Sequence, residues 1–210
     1  MGNKIYTIGR EYGSGGKEVG EKLAQKLGIK LYDKELLQQA AKNSGFCEEI
    51  FENHDEKPTS SFLYSLVMDT YSVGSYATAP FLDMPLNHKV FLAQFDAIKK
   101  IASEESCVIV GRCADYALAD NPDCMNIFIR SNLDKRIQRI IKRSNLTANK
   151  AKDRILKTDK QRASYYNYYS SKKWGDSNSY HLILDSGMIG IDGCVEMIIK
   201  FRELMDAHKN

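Results

Sequence analysis

The sequence predicts an α/β fold, a five-stranded parallel sheet with helices on both faces. Two observations carry that expectation. Short apolar runs rich in β-branched residues, "KIYTI", "IKLY", "CVIV", "MNIFI" and "YHLILD", recur along the chain, as buried strands do when turn residues bound them. Between them, apolar residues return every three or four positions, the period of a helix that covers one face of a sheet.

Taken in order, the first strand runs into a glycine-rich turn and then a helix carrying Val19, Leu23 and Leu27. The second strand ends at Asp33, just ahead of "KELLQQAA". Residues 44–87 exceed an ordinary connection and are dense in Ser, Tyr and turn residues, so a binding segment, a lid or a plain loop is expected there. A helix with Phe91, Phe95, Ile98 and Ala102 precedes the third strand, which runs into Gly111-Arg112. After the fourth strand come Leu133, Ile137, Ile140 and Ile141, then the basic and aromatic "AKDRILKTDKQRASYYNYYSSKKW". The fifth strand leads into a final helix with Ile191, Val195, Ile198 and Met205. A chain of 210 residues can bury one substantial core, so a single domain with insertions is expected over 1–210.

Thirty Lys and Arg against twenty-seven Asp and Glu leave a formal charge of +3, too balanced for a dedicated duplex-DNA binder. Any anion site must be local. Five widely spaced cysteines, with no Cys-x-x-Cys pair, read as reduced thiols. No run of about 18 apolar residues is present to span a membrane. A soluble, cytoplasmic protein is the expectation. The four histidines lack ligand-like spacing, and no residue is assigned to a metal.

The stretch "REYGSGGKEVG" carries the strongest chemical signal. A strand, then Gly13-Ser14-Gly15-Gly16-Lys17, then a helix turns successive backbone N–H groups toward one point, with the positive end of the helix dipole behind them. Phosphate oxygens bind in such a place. Glycine is expected because a Cβ would fill the cradle and because tight turns of this kind need positive φ, and Lys17 adds a mobile point charge. A dinucleotide fingerprint starting at Gly13, with Asp33 as its ribose acid, competes. Its third glycine would fall on Glu18, and it leaves the lysine unexplained. A tight turn without a ligand is the bland alternative. The pattern G-x-x-x-x-G-K-[ST] is itself incomplete, since Glu11 stands at its first glycine and Glu18 at its hydroxyl.

Asp33 reads equally as a helix cap or a ligand. Arg112, at a strand's carboxyl end, can grip a phosphate with a two-pronged fork, or can form a surface ion pair. Asp115 could be an exposed helix residue. Arg136, Arg139 and Arg143 share a helix face and read mainly as a solvated one. Lys157, Asp159 and Arg162 fall close together on a helix, which suits a basic lid over phosphates better than a nucleic-acid surface.

Assembled in order, "REYGSGGKEVGEKLAQKLG", "LYDKELL", "VIVGRCADYAL", "RIQRI" and "DKQRASYY" make the chain resemble the cytidylate kinase-like family of P-loop nucleoside monophosphate kinases. The resemblance implies a P-loop NTPase three-layer α/β/α fold, a phosphate loop over Gly13, Ser14, Gly15, Gly16, Lys17 and Glu18, a helical acceptor-binding insertion at 44–87 and a helical lid at 147–173. It implies phosphoryl transfer from ATP, with Mg²⁺, to a nucleoside monophosphate such as CMP or dCMP, with no nucleic-acid or membrane partner. The expected roles follow. Lys17 holds the donor phosphates, Arg112 the acceptor's phosphate, Arg162 closes on the transferring group, Asp159 orients lid arginines, Asp33 touches the acceptor or the metal's water shell, and Asp115 touches the acceptor. Two departures stand out. Cys113 and Ala114 separate Arg112 from the Asp expected directly after it, and Lys157 and Arg154 stand where lid arginines are expected. A regulatory nucleotide binder without transfer activity, or a kinase of a non-nucleotide small molecule, is the alternative function.

Overall fold

Strand β1 (Ile5–Arg10) forms because "IYTIGR" alternates two apolar faces: Tyr6 and Ile8 point to one side of the sheet, Ile5 and Thr7 to the other. The computed structural model describes residues 2–37 and 86–209. It places β1 at the centre of an all-parallel sheet of order β2-β3-β1-β4-β5. The other strands are β2 (Lys30–Tyr32), β3 (Cys107–Val110), β4 (Cys124–Arg130) and β5 (Leu182–Asp185). Ile5 stands opposite both Cys107 and Cys124, so the three central strands start level. All five predicted strands are found; β1 runs on to Arg10, and β5 starts at Leu182 because Tyr180 closes a 3-10 turn (Ser177–Ser179).

The helices are α1 (Gly16–Leu27), α2 (Leu86–Glu104), α3 (Ala114–Ala117), α4 (Leu133–Ser144), α5 (Ala148–Ser170) and α6 (Ser186–Lys209), the last broken at Gly190. On one face, Val19, Leu23 and Ala24 of α1 and Cys194, Val195 and Ile198 of α6 bury Tyr6, Ile8, Val108, Val110 and Ile127. On the opposite face, Ile98, Ile101 and Ala102 of α2 and Ala114 and Ala117 of α3 cover Ile5, Cys107, Ile109 and Cys124. Burial pushes the Cys107 and Cys124 thiols up to about 12, so they serve as small apolar groups. Among the described residues no helix is long and apolar enough to cross a membrane.

This layering positions the site. The chain leaves β1 toward α1 on one face and leaves β3 toward α3 on the other, so a crevice opens at the carboxyl ends of these neighbouring strands, where open α/β sheets bind ligands. Helix α5 roofs that crevice. Its first half packs Ala151 and Ile155 on Ile140 of α4. Its second half packs Tyr165, Tyr166 and Tyr169 on Phe91 and Leu92 of α2, with Phe91 stacked on Tyr169 at 4.0 Å. The segment expected to be a lid at 147–173 is thus one helix of 23 residues held at both ends. The insertion expected at 44–87 lies outside the described residues as far as 85; α2 begins at Leu86.

Candidate active site

The loop between β1 and α1 adopts positive φ at Gly13 (+80°) and Gly15 (+81°), as expected of glycine there. The reason a side chain is excluded differs from the expectation. A Cβ on Gly15 would stand 2.3 Å from the Arg139 guanidinium and 2.5 Å from Ile191, so the chain's own groups close on these residues. Ser14 is fully buried and turned inward: its N–H and its hydroxyl both donate to the Glu11 carbonyl, and its carbonyl accepts from Ser186. Its side chain is spent on shaping the loop. The first intrahelical bond of α1 runs from the Val19 N–H to the Gly15 carbonyl. The amides of Gly16, Lys17 and Glu18 precede it, and donors of that first turn have no carbonyl within their own helix. These are the amides that suit an anion.

Lys17 Nζ lies 2.8 Å from Asp33 Oδ2, and Asp33 Oδ1 accepts the Leu36 N–H, so Asp33 caps a helical turn, as one reading expects, and pairs with the loop lysine. Burial pushes the Asp33 carboxyl up, but the hydrogen bonds from Lys17 and the Leu36 N–H outweigh it and hold it below its ordinary value. Lys17 is held above its own, chiefly by the hydrogen bond to Asp33. A lowered acid stabilises the fold above its unfolded pKa (about 3.9) and loses that contribution as pH falls through the folded value. A raised lysine does so below about 10.4 and loses it as pH rises through its folded value. The pair is therefore constant across neutral pH. Carboxyl ¹³C NMR should find Asp33 titrating below an ordinary Asp, and shifted up in Lys17→Ala because burial remains; identical titration in the two proteins would contradict this account.

Glu18 is exposed on α1, one turn from Lys22. Glu11 explains the missing first glycine: its Oε2 accepts the Ser131 N–H at 2.9 Å and lies 3.6 Å from Arg136 Nε, tying the loop to the end of β4. Arg136 overturns the solvated-face expectation. It is 8% exposed, donates to Asp159 Oδ2 at 2.5 Å and to the Tyr12 carbonyl at 3.3 Å. Asp159 in turn accepts the Tyr12 N–H at 2.7 Å. The guanidinium carbons of Arg154 and Arg162 lie 5.8 and 5.5 Å from the centre of the Tyr12 ring, within cation–π reach. One loop residue is thereby gripped by α4 and α5 together. The expected partners of Asp159 are arginines of the lid; the arginine it pairs with here is Arg136 of α4. Lys157 is exposed.

The crevice itself holds a pocket with Thr7, Ile8 and Gly9 as its floor and Arg10, Arg112, Arg162, Asp115, Tyr165, Tyr166, Trp174 and Tyr180 around it. Gly111, Arg112 and Cys113 all have positive φ (+84°, +59° and +53°). Two consecutive non-glycine residues in the left-handed region store about 1–3 kcal/mol each, a cost that clusters at ligand sites. The turn delivers Arg112, 7% exposed, into the pocket. Asp115 corrects its expectation: it is buried, and its Oδ2 accepts the Tyr166 hydroxyl at 2.6 Å. Burial pushes its carboxyl up, and burial and the Asp115 charge push the Tyr166 phenol up in turn. This bond ties α3 to α5 one turn beyond Arg162.

The sequence match to known families runs over the same elements, and the pattern described as cytidylate kinase-like fits residues 5–188. The chain belongs to the cytidylate kinase-like family. No curated protein matches it. Among solved structures, an uncharacterized protein from Eubacterium ventriosum is 32% identical, with 96% of this chain and 99% of that one covered and a TM-score of 0.73. A gluconokinase from Sinorhizobium meliloti (13% identity, 99% and 98% covered, TM-score 0.53) and a shikimate kinase from Bacteroides thetaiotaomicron (14%, 95% and 98%, 0.51) share the fold.

Within this cytidylate kinase-like frame the structure brings Lys17 of the first turn of α1 to Asp33 after β2, and gathers Arg112, Asp115 and Arg162 around the pocket at the ends of β1 and β3. Sequence reading passed over Arg10, Tyr12 and Tyr166 and placed Arg136 on a mainly solvated face. Arg10 alone had a local signal, a charged residue ending an otherwise buried strand; the others needed the contacts between helices.

Proposed function

We propose that the chain transfers a phosphoryl group from ATP to a nucleoside monophosphate, with CMP and dCMP the first acceptors to test. The observation that supports this reading most is that two anion-suited groups stand at the carboxyl ends of neighbouring strands: the Gly16–Glu18 amides with Lys17 after β1, and the pocket lined by Arg112, after β3, and Arg162. Phosphoryl transfer asks mainly for alignment and charge neutralisation, which these groups can supply. Lys17 and the amides would hold the ATP phosphates, Arg112 the acceptor phosphate, and Arg162 would close on the transferring group. Asp115, bonded to Tyr166, would act as a support for the pocket wall. The donor set fits a polyphosphate, and Asp33 beside Lys17 is the carboxylate suited to the water shell of Mg²⁺. When bound, that ion neutralises charge across the β- and γ-phosphates.

The test is a coupled assay with ATP-Mg²⁺ and CMP, dCMP, UMP, AMP, shikimate and gluconate, beside calorimetry with ATP and ADP. Turnover is expected with a monophosphate, highest with CMP or dCMP. Turnover only with shikimate or gluconate would replace the acceptor class. Nucleotide binding without any product would favour a regulatory binder, the function that Glu18 in the hydroxyl position brings into consideration.

A further inference from the structure

Arg10 meets the start of α1, the Gly111 turn and Arg162. Its stem lies over the first residue of α1: a Cβ on Gly16 would meet Arg10 Cβ at 2.4 Å and Cγ at 3.0 Å. Its head fills the space above the turn that delivers Arg112, where a Cβ on Gly111 would meet Nη1 at 2.1 Å and Cζ at 3.0 Å. Its carbonyl accepts Arg162 Nη1 at 3.2 Å. Positive φ accounts for glycine at 111, but Gly16 opens a right-handed helix, and there the nearest obstacle to a side chain is the Arg10 stem. Two glycines thus make room for one arginine, whose stem lies on the loop, whose guanidinium lies against Gly111, and which lines the pocket.

We infer that Arg10 is a catalytic residue whose guanidinium lies against the phosphoryl group as it passes between donor and acceptor. The inference rests on the phosphoryl-transfer reading above. In that step an oxygen of the acceptor's phosphate forms a bond to the γ-phosphorus while the bond from that phosphorus to the β–γ bridging oxygen breaks. The electron pair leaves with ADP, and no proton need move. In the loose transition state charge is spread over the three equatorial oxygens. A planar two-pronged donor fixed between the two sites suits those oxygens better than a point charge. Lys17 approaches from the Asp33 side and Arg162 from α5, so Arg10 supplies the contact from the sheet.

The experiment compares wild type, Arg10→Met and Arg10→Lys by steady-state kinetics, with thermal melts to confirm folding and calorimetric titration of ADP with and without aluminium fluoride and acceptor. Arg10→Met should lower kcat by about 10²-fold with the KM for ATP within about threefold, as expected for a group acting in the transition state. ADP affinity should hold, while the ADP–aluminium fluoride–acceptor complex weakens by a factor similar to that in kcat. Arg10→Lys, which keeps the stem and the charge, should recover part of the loss. Wild-type turnover matched by Arg10→Met, or a rise in the acceptor's KM at unchanged kcat, would overturn the role of Arg10 and leave the kinase reading standing. No wild-type turnover with any acceptor would overturn both.

Discussion

Lys17→Ala is expected to lower turnover by about 10²–10³-fold while the protein melts close to the wild-type temperature. The two halves of this expectation have different causes. Lys17 is 45% exposed, and its bridge to Asp33 is of the partly solvated kind worth about 0–1 kcal/mol, so little folding energy is lost. Its proposed work lies with the donor phosphates, whose charge redistributes as the γ-group departs, and an ammonium on a four-carbon stem can follow that movement. The loss should fall on kcat more than on the KM for ATP. Lys17→Arg should not restore it, because a fixed fork cannot track a shifting charge in the same way. A coupled assay with matched melting curves is the measurement. Turnover within threefold of wild type would remove Lys17 from the mechanism.

Arg136→Met should cost about 3–5 kcal/mol of stability, the range for removing one partner from a buried ion pair. Asp159 and Glu11, with side chains 17% and 25% exposed, would keep their backbone donors from Tyr12 and Ser131 but lose the cation between them. Each carboxylate would then lose the guanidinium it pairs with. Urea denaturation at pH 7 should show the loss, and adding Asp159→Asn should recover part of it, since the pair is coupled and the single costs do not add. A loss under 1 kcal/mol, or strict additivity, would show that Arg136 is solvated in effect. Because Asp159 and Tyr12 lie between Arg136 and Arg162, activity should fall as well.

The reach of the sequence is seen by comparing Val19 and Leu23 with Arg136 and Asp115. Val19 and Leu23 announce their burial through spacing alone, because a helix repeats every 3.6 residues whatever it packs on. Arg136 shares a helix face with Arg139 and Arg143, and nothing in that periodicity distinguishes the arginine that meets Asp159 from the one that stays in water. Arg143 is exposed and Arg136 is not, a difference created by α5 crossing α4 beside Tyr12. Asp115 is similar: its depth depends on Tyr166, 51 positions away.

By itself the sequence determined the five strands, the helical stripes, the positive-φ glycines and the family, since each depends on residue types at short spacing. Tertiary structure alone decided which charges meet: Lys17 with Asp33, Arg136 with Asp159, and Arg10 reaching from the loop to the Arg112 turn. The physical reason is range. Backbone preference and hydrophobic period act over a few residues, whereas an ion pair exists only once distant segments have expelled the water between them.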